Sequence, residues 1–279
     1  ALRLGVPAIA IGMTVVAFGT STPELAVNLS ASAAVNGHIA FGNVVGSNIA
    51  NIALLLGVTA MVRPLRVHAS IVTREVPMLI LACLVAMVLG LDQALAGRTG
   101  AFERADGIVL LLLFGVFLYY TVGEVTRRRD DPFAAESAQQ VPSAAMGRAL
   151  LLIFMGLCGV IVGGQMFLRG AVGFATMLGV PQVVIGLTIV AVGTSLPELA
   201  TSVIAARRGQ DDLAVGNIVG SNIFNLLFIQ GVSSTIMPAV LPPGGLIDLA
   251  VMTALSLVLL PMCMTHGRRI TRTEAGVLL

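Results

Sequence analysis

Charge is what this chain has least of. Asp, Glu, Lys and Arg make up 11% of its 279 residues, where a soluble domain carries about 25%. Hydrophobic residues reach 57%. A water-facing surface cannot be built from so few charges, so the composition is that of a membrane protein. Lysine is absent and all 16 basic residues are Arg; the net charge is +2 and no basic cluster is dense, which excludes a nucleic-acid partner. There is no Trp and only two Tyr, so the aromatic belt at the bilayer surfaces is thin. Cys83, Cys158 and Cys263 each fall inside an apolar run and read as buried free thiols. His38 and His68 sit in short loops and His266 just past a helix end. With no imidazole inside a span and no cysteine motif, a zinc or copper centre is excluded, as is an intramembrane enzyme, and no cofactor is expected. The first residues show no short apolar core followed by a small-residue cleavage site.

What is present is a series of apolar runs of roughly 20 residues, the length that crosses a bilayer as a helix. They predict an all-α membrane protein with eight visible spans, at about 7–33, 39–62, 70–90, 105–123, 147–172, 181–206, 213–238 and 245–265. The first, second, sixth and seventh are rich in Gly, Ser, Thr and Asn, as packed interior helices are. The other four are plainer and are expected to face lipid. The polar stretch 124–146 reads as a flexible cytoplasmic linker between two halves, 1–123 and 147–279. Alternate loops hold Arg63, Arg66 and Arg74, then Arg127, Arg128 and Arg129, then Arg207 and Arg208, then Arg268, Arg269 and Arg272. That set is expected to be cytoplasmic.

The halves are copies. Shifted by 174 positions, Gly5–Val58 lies on Gly179–Val232 without a gap, matching Pro7 with Pro181, Thr14 with Thr188 and Ala17 with Ala191. The sequence GTSTPE at 19–24 falls on GTSLPE at 193–198, and GNVVGSNIAN at 42–51 on GNIVGSNIFN at 216–225. Apolar composition alone would not align Pro, Glu, Asn and Gly. Because the loop charges place the two Glu-bearing helices in opposite directions across the membrane, the repeats are expected to be inverted, a transporter plan with its substrate at the midplane. The first repeat has no counterpart of the helix at 147–172, and TRTEAGVLL at the end resembles the start of the fourth helix. A further helix is therefore expected at each end.

Each GTSxPE stretch puts a proline and a carboxylate in mid-span. A charge there costs about 2.5–3.5 kcal/mol on insertion scales, and the proline frees a backbone carbonyl, here that of Gly19. Thr20 and Glu24 are four apart and are expected to share a helix face, as are Thr194 and Glu198. Gly46 and Gly220 are expected to interrupt their helices between Asn43 and Ser47 and between Asn217 and Ser221, with Asn51 and Asn225 one turn on. The inventory is two carboxylates, hydroxyls, amide oxygens and carbonyls, a hard-oxygen set suited to Ca2+ or Na+.

GTSxPEL followed by GNxxGSN, duplicated and inverted, resembles the alpha repeats of the calcium/cation antiporter superfamily, the sodium/calcium exchangers and their relatives. The resemblance covers most of the chain. It implies a ten-helix fold, of which eight helices are visible, and exchange of Ca2+ for Na+ by alternating access, with Ca2+/H+ exchange on the same scaffold as the alternative. It makes Glu24 and Glu198 the central Ca2+ ligands, with Thr20, Thr194, Ser47, Ser221 and the carbonyls of Ala17 and Ala191 serving calcium and flanking sodium sites. Ser21 and Ser195 fall at further cation contacts, and Asn51 matches a central family Asn. Asn225 departs from the pattern, standing where many sodium/calcium exchangers carry Asp. A prokaryotic inner membrane and no protein partner are expected. A passive channel is the rival class; breaks at mirrored depths in inverted repeats argue for alternating access instead.

Overall fold

Lipid cannot satisfy backbone N–H and C=O groups, so apolar runs of this length fold into helices that satisfy their own. The computed structural model describes residues 11–33, 37–95, 97, 100–129, 146–179 and 191–279. Its helices are α1 (12–33), α2 (Gly37–Val62), α3 (71–95), α4 (Arg104–Arg129), α5 (Met146–Met177), α6 (191–207), α7 (Asp211–Ile236), α8 (Gly245–Met264) and the short α9 (Arg272–Leu278). Six of them are unbroken and apolar enough to cross a membrane, where eight spans were expected. The other two, α1 and α6, are the ones that carry GTSxPE. Each is broken at a serine, Ser21 with φ −83° and ψ 10° and Ser195 with φ −87° and ψ 7°, in the sparsely allowed bridge region. Residues 7–10 and 181–190 of those two expected spans lie outside the described residues. Helix α4 runs six residues past position 123, to Arg129; positions 130–145 of the expected linker lie outside the described residues.

The expected division into interior and lipid-facing helices holds. Over the most apolar 18 residues of each span, 83% of α7 and 61% of α2 is buried, against 39% of α3 and α8, 22% of α4 and none of α5. Small residues make the interior tight. A Cβ on Gly220 would lie 2.6 Å from the Met13 Cα, and one on Gly107 would lie 2.6 Å from the Gly231 carbonyl oxygen. Gly220 therefore lets α1 lie against α7; it does not interrupt α7, whose helix runs straight through it, as α2 runs through Gly46.

Two short antiparallel strand pairs fix the ends of the molecule. Leu65–Arg66 pairs with Arg269–Ile270, and Ala101–Phe102 pairs with Ala239–Val240. The first pair gathers loops of the Arg-rich set, where Arg63 also donates to the Ala206 carbonyl and the Arg66 N–H to Asp211. The second gathers loops of the other set, with Gly37 against Val240. Helix α2 thus runs from the Arg-poor end to the Arg-rich end. Its repeat partner α7 starts at Asp211 at the Arg-rich end and finishes at Ile236, just before the Ala239–Val240 strand at the Arg-poor end, so the two copies are antiparallel.

Candidate functional site

The breaks in α1 and α6 decide where the carboxylates go. After Ser21 a new helix begins at Thr22, and after Ser195 one begins at Leu196, so Pro23 and Pro197 stand in a first turn. There a missing N–H removes no helical bond. The Gly19 carbonyl, expected to be free, accepts a capping N–H at the end of Ala17–Thr20. Glu24 and Glu198 fall in the same first turns, at helix N-termini whose partial positive charge favours an anion. The break also separates Thr20 from Glu24: the two belong to successive helices rather than to one continuous face.

The serines at the breaks do not cap their own helices. The Ser21 hydroxyl donates to Glu198 Oε1 at 2.9 Å and the Ser195 hydroxyl to Glu24 Oε1 at 3.2 Å. Each repeat therefore holds the other's carboxylate. The Thr194 hydroxyl lies near Glu24, and the Thr20 and Ser221 hydroxyls lie near Glu198. Thr20 also lies 3.0 Å from the Val16 carbonyl and 3.3 Å from that of Ala17, which accepts the Ser21 N–H at 2.9 Å. Ala191 opens the equivalent short helix, Ala191–Thr194. Thr20, Ser21, Glu24, Thr194, Ser195 and Glu198 are all buried.

Helices α2 and α7 supply the rest. Ser47, Asn51, Ser221 and Asn225 are fully buried. At Asn51–Leu56 and Phe224–Ile229 both helices widen into a π turn, a feature that recurs at functional sites. Of the buried oxygens without a hydrogen-bond partner among the described residues, six belong to the expected site residues: Glu24 Oε2, Glu198 Oε2, the hydroxyls of Ser47 and Ser221, and Oδ1 of Asn51 and Asn225. They form three pairs, each related by the 174-residue repeat. Buried polar atoms are ordinarily satisfied, and a Ca2+ ion takes six to eight oxygens of these kinds. Among the described residues no group of three or more His, Cys, Asp and Glu side chains is present, so the set is two carboxylates completed by neutral oxygens.

One pair of residues behind this set was not singled out as ligands or supports from sequence. Asn43 donates to the Glu24 carbonyl at 3.2 Å and to Asn28 Oδ1. Asn217, its repeat partner, donates to the Glu198 carbonyl at 3.3 Å and to the Ser202 hydroxyl at 2.9 Å. These amides clamp the first turn that carries each carboxylate. The signal was available, since an Asn retained at both positions of a repeat needs a polar partner in both.

The sequence matches the sodium/calcium exchanger protein family over residues 1–123 and 148–279. It is 33% identical to the sodium/calcium exchanger MaX1 of Methanosarcina acetivorans, over 100% of this chain and 88% of that protein. It is 36% identical to the inner membrane protein YrbG of Escherichia coli, over 99% of this chain and 84% of that one. The fold superposes on the sodium-calcium exchanger NCX_Mj soaked with 2.5 mM Na+ and 0.1 mM Ca2+, with a TM-score of 0.79 and 33% identity over 99% of this chain and 85% of that one.

Proposed function

The chain belongs to the sodium/calcium exchanger protein family, a family of integral membrane exchangers, and from that premise we propose that it exchanges Ca2+ for Na+ by alternating access. The observation that carries this reading is the three repeat-related pairs of unpartnered buried oxygens around two crossed carboxylates. Glu24 and Glu198 supply two negative charges, and one Ca2+ makes the cluster neutral, which reduces the cost of burying it. Ser47, Ser221, Asn51 and Asn225 complete the shell. Thr20, Thr194, Ser21 and Ser195, with the carbonyls of Ala17 and Ala191, flank it and serve Na+. The working unit is a pair of inverted repeats, 1–123 and 147–279, joined by the cytoplasmic segment 124–146. Its membrane is a prokaryotic inner membrane, as the name of the YrbG relative suggests.

Charge counting gives two monovalent ions per Ca2+ at this cluster, because position 225 adds no third carboxylate. Protons in place of Na+ balance the same charge, and the neutral Asn225 is the feature that favours that second reading. Ca2+ flux into vesicles under imposed Na+ and imposed pH gradients tests both. Uptake driven by outward Na+ at constant pH supports the first; uptake driven only by a proton gradient replaces it with the second. Movement with no countergradient dependence overturns exchange. Asn225→Asp is expected to strengthen Na+ dependence. Exchange by the unaltered chain at three Na+ per Ca2+ would refute the charge count.

A further inference from the structure

Directly beside the site, the two repeats meet at a cluster of four buried amides, Asn48, Asn51, Asn222 and Asn225. Asn48 is the repeat partner of Asn222 and Asn51 that of Asn225. Two hydrogen bonds cross between the repeats here. Asn51 Nδ2 donates to Asn222 Oδ1 at 3.0 Å, and Asn48 Nδ2 donates to the Asn222 backbone carbonyl at 3.1 Å. Both end on Asn222. The repeat relation defines two mirror bonds, Asn225 Nδ2 to Asn48 Oδ1 and Asn222 Nδ2 to the Asn48 carbonyl. Neither is made. All three side-chain atoms that would make them, Asn225 Nδ2, Asn48 Oδ1 and Asn222 Nδ2, are buried and have no partner among the described residues.

We propose that Asn48 and Asn222 are positioning residues forming a two-position amide latch, closed on Asn222 in this state and on Asn48 in the oppositely facing state. In an inverted-repeat exchanger the two facing states interchange the conformations of the repeats. A bond made in one half is then lost while its mirror forms. The latch also governs the site. With its Nδ2 held by Asn222, Asn51 has its Oδ1 left for the cation, whereas Asn225 is not oriented. When the latch switches, Asn48 orients Asn225 and releases Asn51. The two amide ligands thus exchange roles as the site changes sides. This inference rests on the alternating-access reading above.

The two side chains matter unequally to the two states, which makes the latch testable. Deleting the Asn222 side chain leaves the buried Asn51 donor unsatisfied in the present state. In the mirror state it removes only an extra bond to a backbone carbonyl. Deleting Asn48 does the reverse. An unsatisfied buried donor is the more costly of the two losses.

The reporters are Ser32→Cys, one turn past Asn28 towards the Arg-poor end, and its repeat counterpart Ala206→Cys near the Arg-rich end. They are placed one at a time in the full chain with Cys83, Cys158 and Cys263 changed to Ala, reconstituted in vesicles. The readout is the ratio of the two thiol-labelling rates. Asn222→Ala and Asn48→Ala are expected to move that ratio in opposite directions by about fivefold each, the worth of one buried hydrogen bond. The double variant returns near the starting value. Asn222→Ser and Asn48→Ser, whose hydroxyls are too short to reach across, carry the same opposite signs and stand in if the alanine variants do not fold. Shifts in the same direction, or below about twofold, overturn the latch, because a packing role has no reason to give opposite signs. Ca2+ flux is measured in parallel. Opposite shifts without Ca2+ exchange support the latch and overturn the exchange reading; exchange with parallel shifts overturns the latch alone.

Discussion

The Arg-poor and Arg-rich ends of this molecule are related by the repeat, and they differ one turn away from the carboxylates. Around the site they agree: Asn43 clamps Glu24 as Asn217 clamps Glu198, and the Ser–Glu bonds cross reciprocally. Further out they part. Towards the Arg-poor end, Asn28 donates to the Ser233 hydroxyl and Gln230 to that of Ser234, and the Ser32 hydroxyl and Gln230 Oε1 have no partner among the described residues. The counterparts of Ser32, Gln230, Ser233 and Ser234 towards the Arg-rich end are Ala206, Leu56, Thr59 and Ala60, and Thr59 turns its hydroxyl back to the Leu55 carbonyl. On the proposed reading, the carboxylates, their serine donors and their Asn clamps keep the repeat's symmetry because one ion is held between the two glutamates. On that reading the flanking residues differ because each end faces a different solution.

The strongest test of the shared centre is to remove one charge. Glu24→Gln or Glu198→Gln should lower Ca2+ transport by about a hundredfold or more, since an ion and its remaining counter-charge are then buried without balance. The two losses should be alike. Transport at the unaltered rate in either variant would remove that carboxylate from the site, and a large difference between them would break the symmetry of the centre.

Next are the clamps. Asn43→Ala and Asn217→Ala remove no carboxylate, but each frees the first turn that holds one, and Asn217→Ala also takes away the acceptor of the Thr20 hydroxyl. Groups that orient metal ligands are worth about tenfold or more in affinity, so the Ca2+ half-saturation concentration should rise by about tenfold in both. A change in maximal rate at unchanged half-saturation would place these residues on the transport path instead.

The approaches should respond to a swap. Gln230→Leu installs at the Arg-poor end what Leu56 already provides at the other, and removes the hydrogen bond to the Ser234 hydroxyl. On the proposed reading this end lies between the site and one solution, so Ca2+ turnover is expected to fall about threefold with affinity unchanged. Leu56→Gln should not reproduce the effect in the opposite sense, because its neighbours Thr59, Ala60 and Ala206 offer no polar track. Equal effects of the two changes would show that the difference between the halves carries no consequence for flux.

The duplication, the two glutamates and the hard-oxygen inventory were legible because Pro, Glu, Asn and Gly are too expensive in a membrane span to recur by accident. The interior and lipid-facing helices were legible for the same reason. What escaped was set by contacts between the repeats. Nothing local says that Ser21 turns away from its own helix to Glu198, or that Gly220 serves a close approach to Met13 rather than a break. The sequence places the proline inside one long helix, freeing the Gly19 carbonyl; that a second helix starts at Thr22 depends on Ser21 adopting a bridge-region turn, with its hydroxyl on the other repeat's carboxylate. The π turns at Asn51 and Phe224 carry no composition signal.

The smallest effect concerns how the two ends are closed. At the Arg-poor end the Glu103 N–H donates to Asp106 at 2.7 Å, capping α4. At the Arg-rich end the Thr271 N–H donates to Glu274 at 2.8 Å and the Thr271 hydroxyl accepts from the Glu274 N–H, a complete capping box on α9. Helix α9 in turn seats Leu279 against Gly57 and ties Arg272 to the Met61 carbonyl. Thr271→Ala should lower stability by about 1 kcal/mol, read as a small drop in the detergent melting temperature, with Ca2+ transport untouched. The cap is also sensitive to acid. Partial burial pushes the Glu274 carboxyl up, but hydrogen bonds from Thr265 and Thr271 and the nearby His266 outweigh it and hold it below its usual 4.5. A carboxyl held down in the folded state favours folding above its unfolded value, and that contribution is lost as the pH falls through the folded one. The difference in melting temperature between the unaltered chain and Glu274→Gln should therefore be constant near neutrality and shrink below about pH 4.5. A difference that grows in acid would show that the carboxylate is not what closes this end.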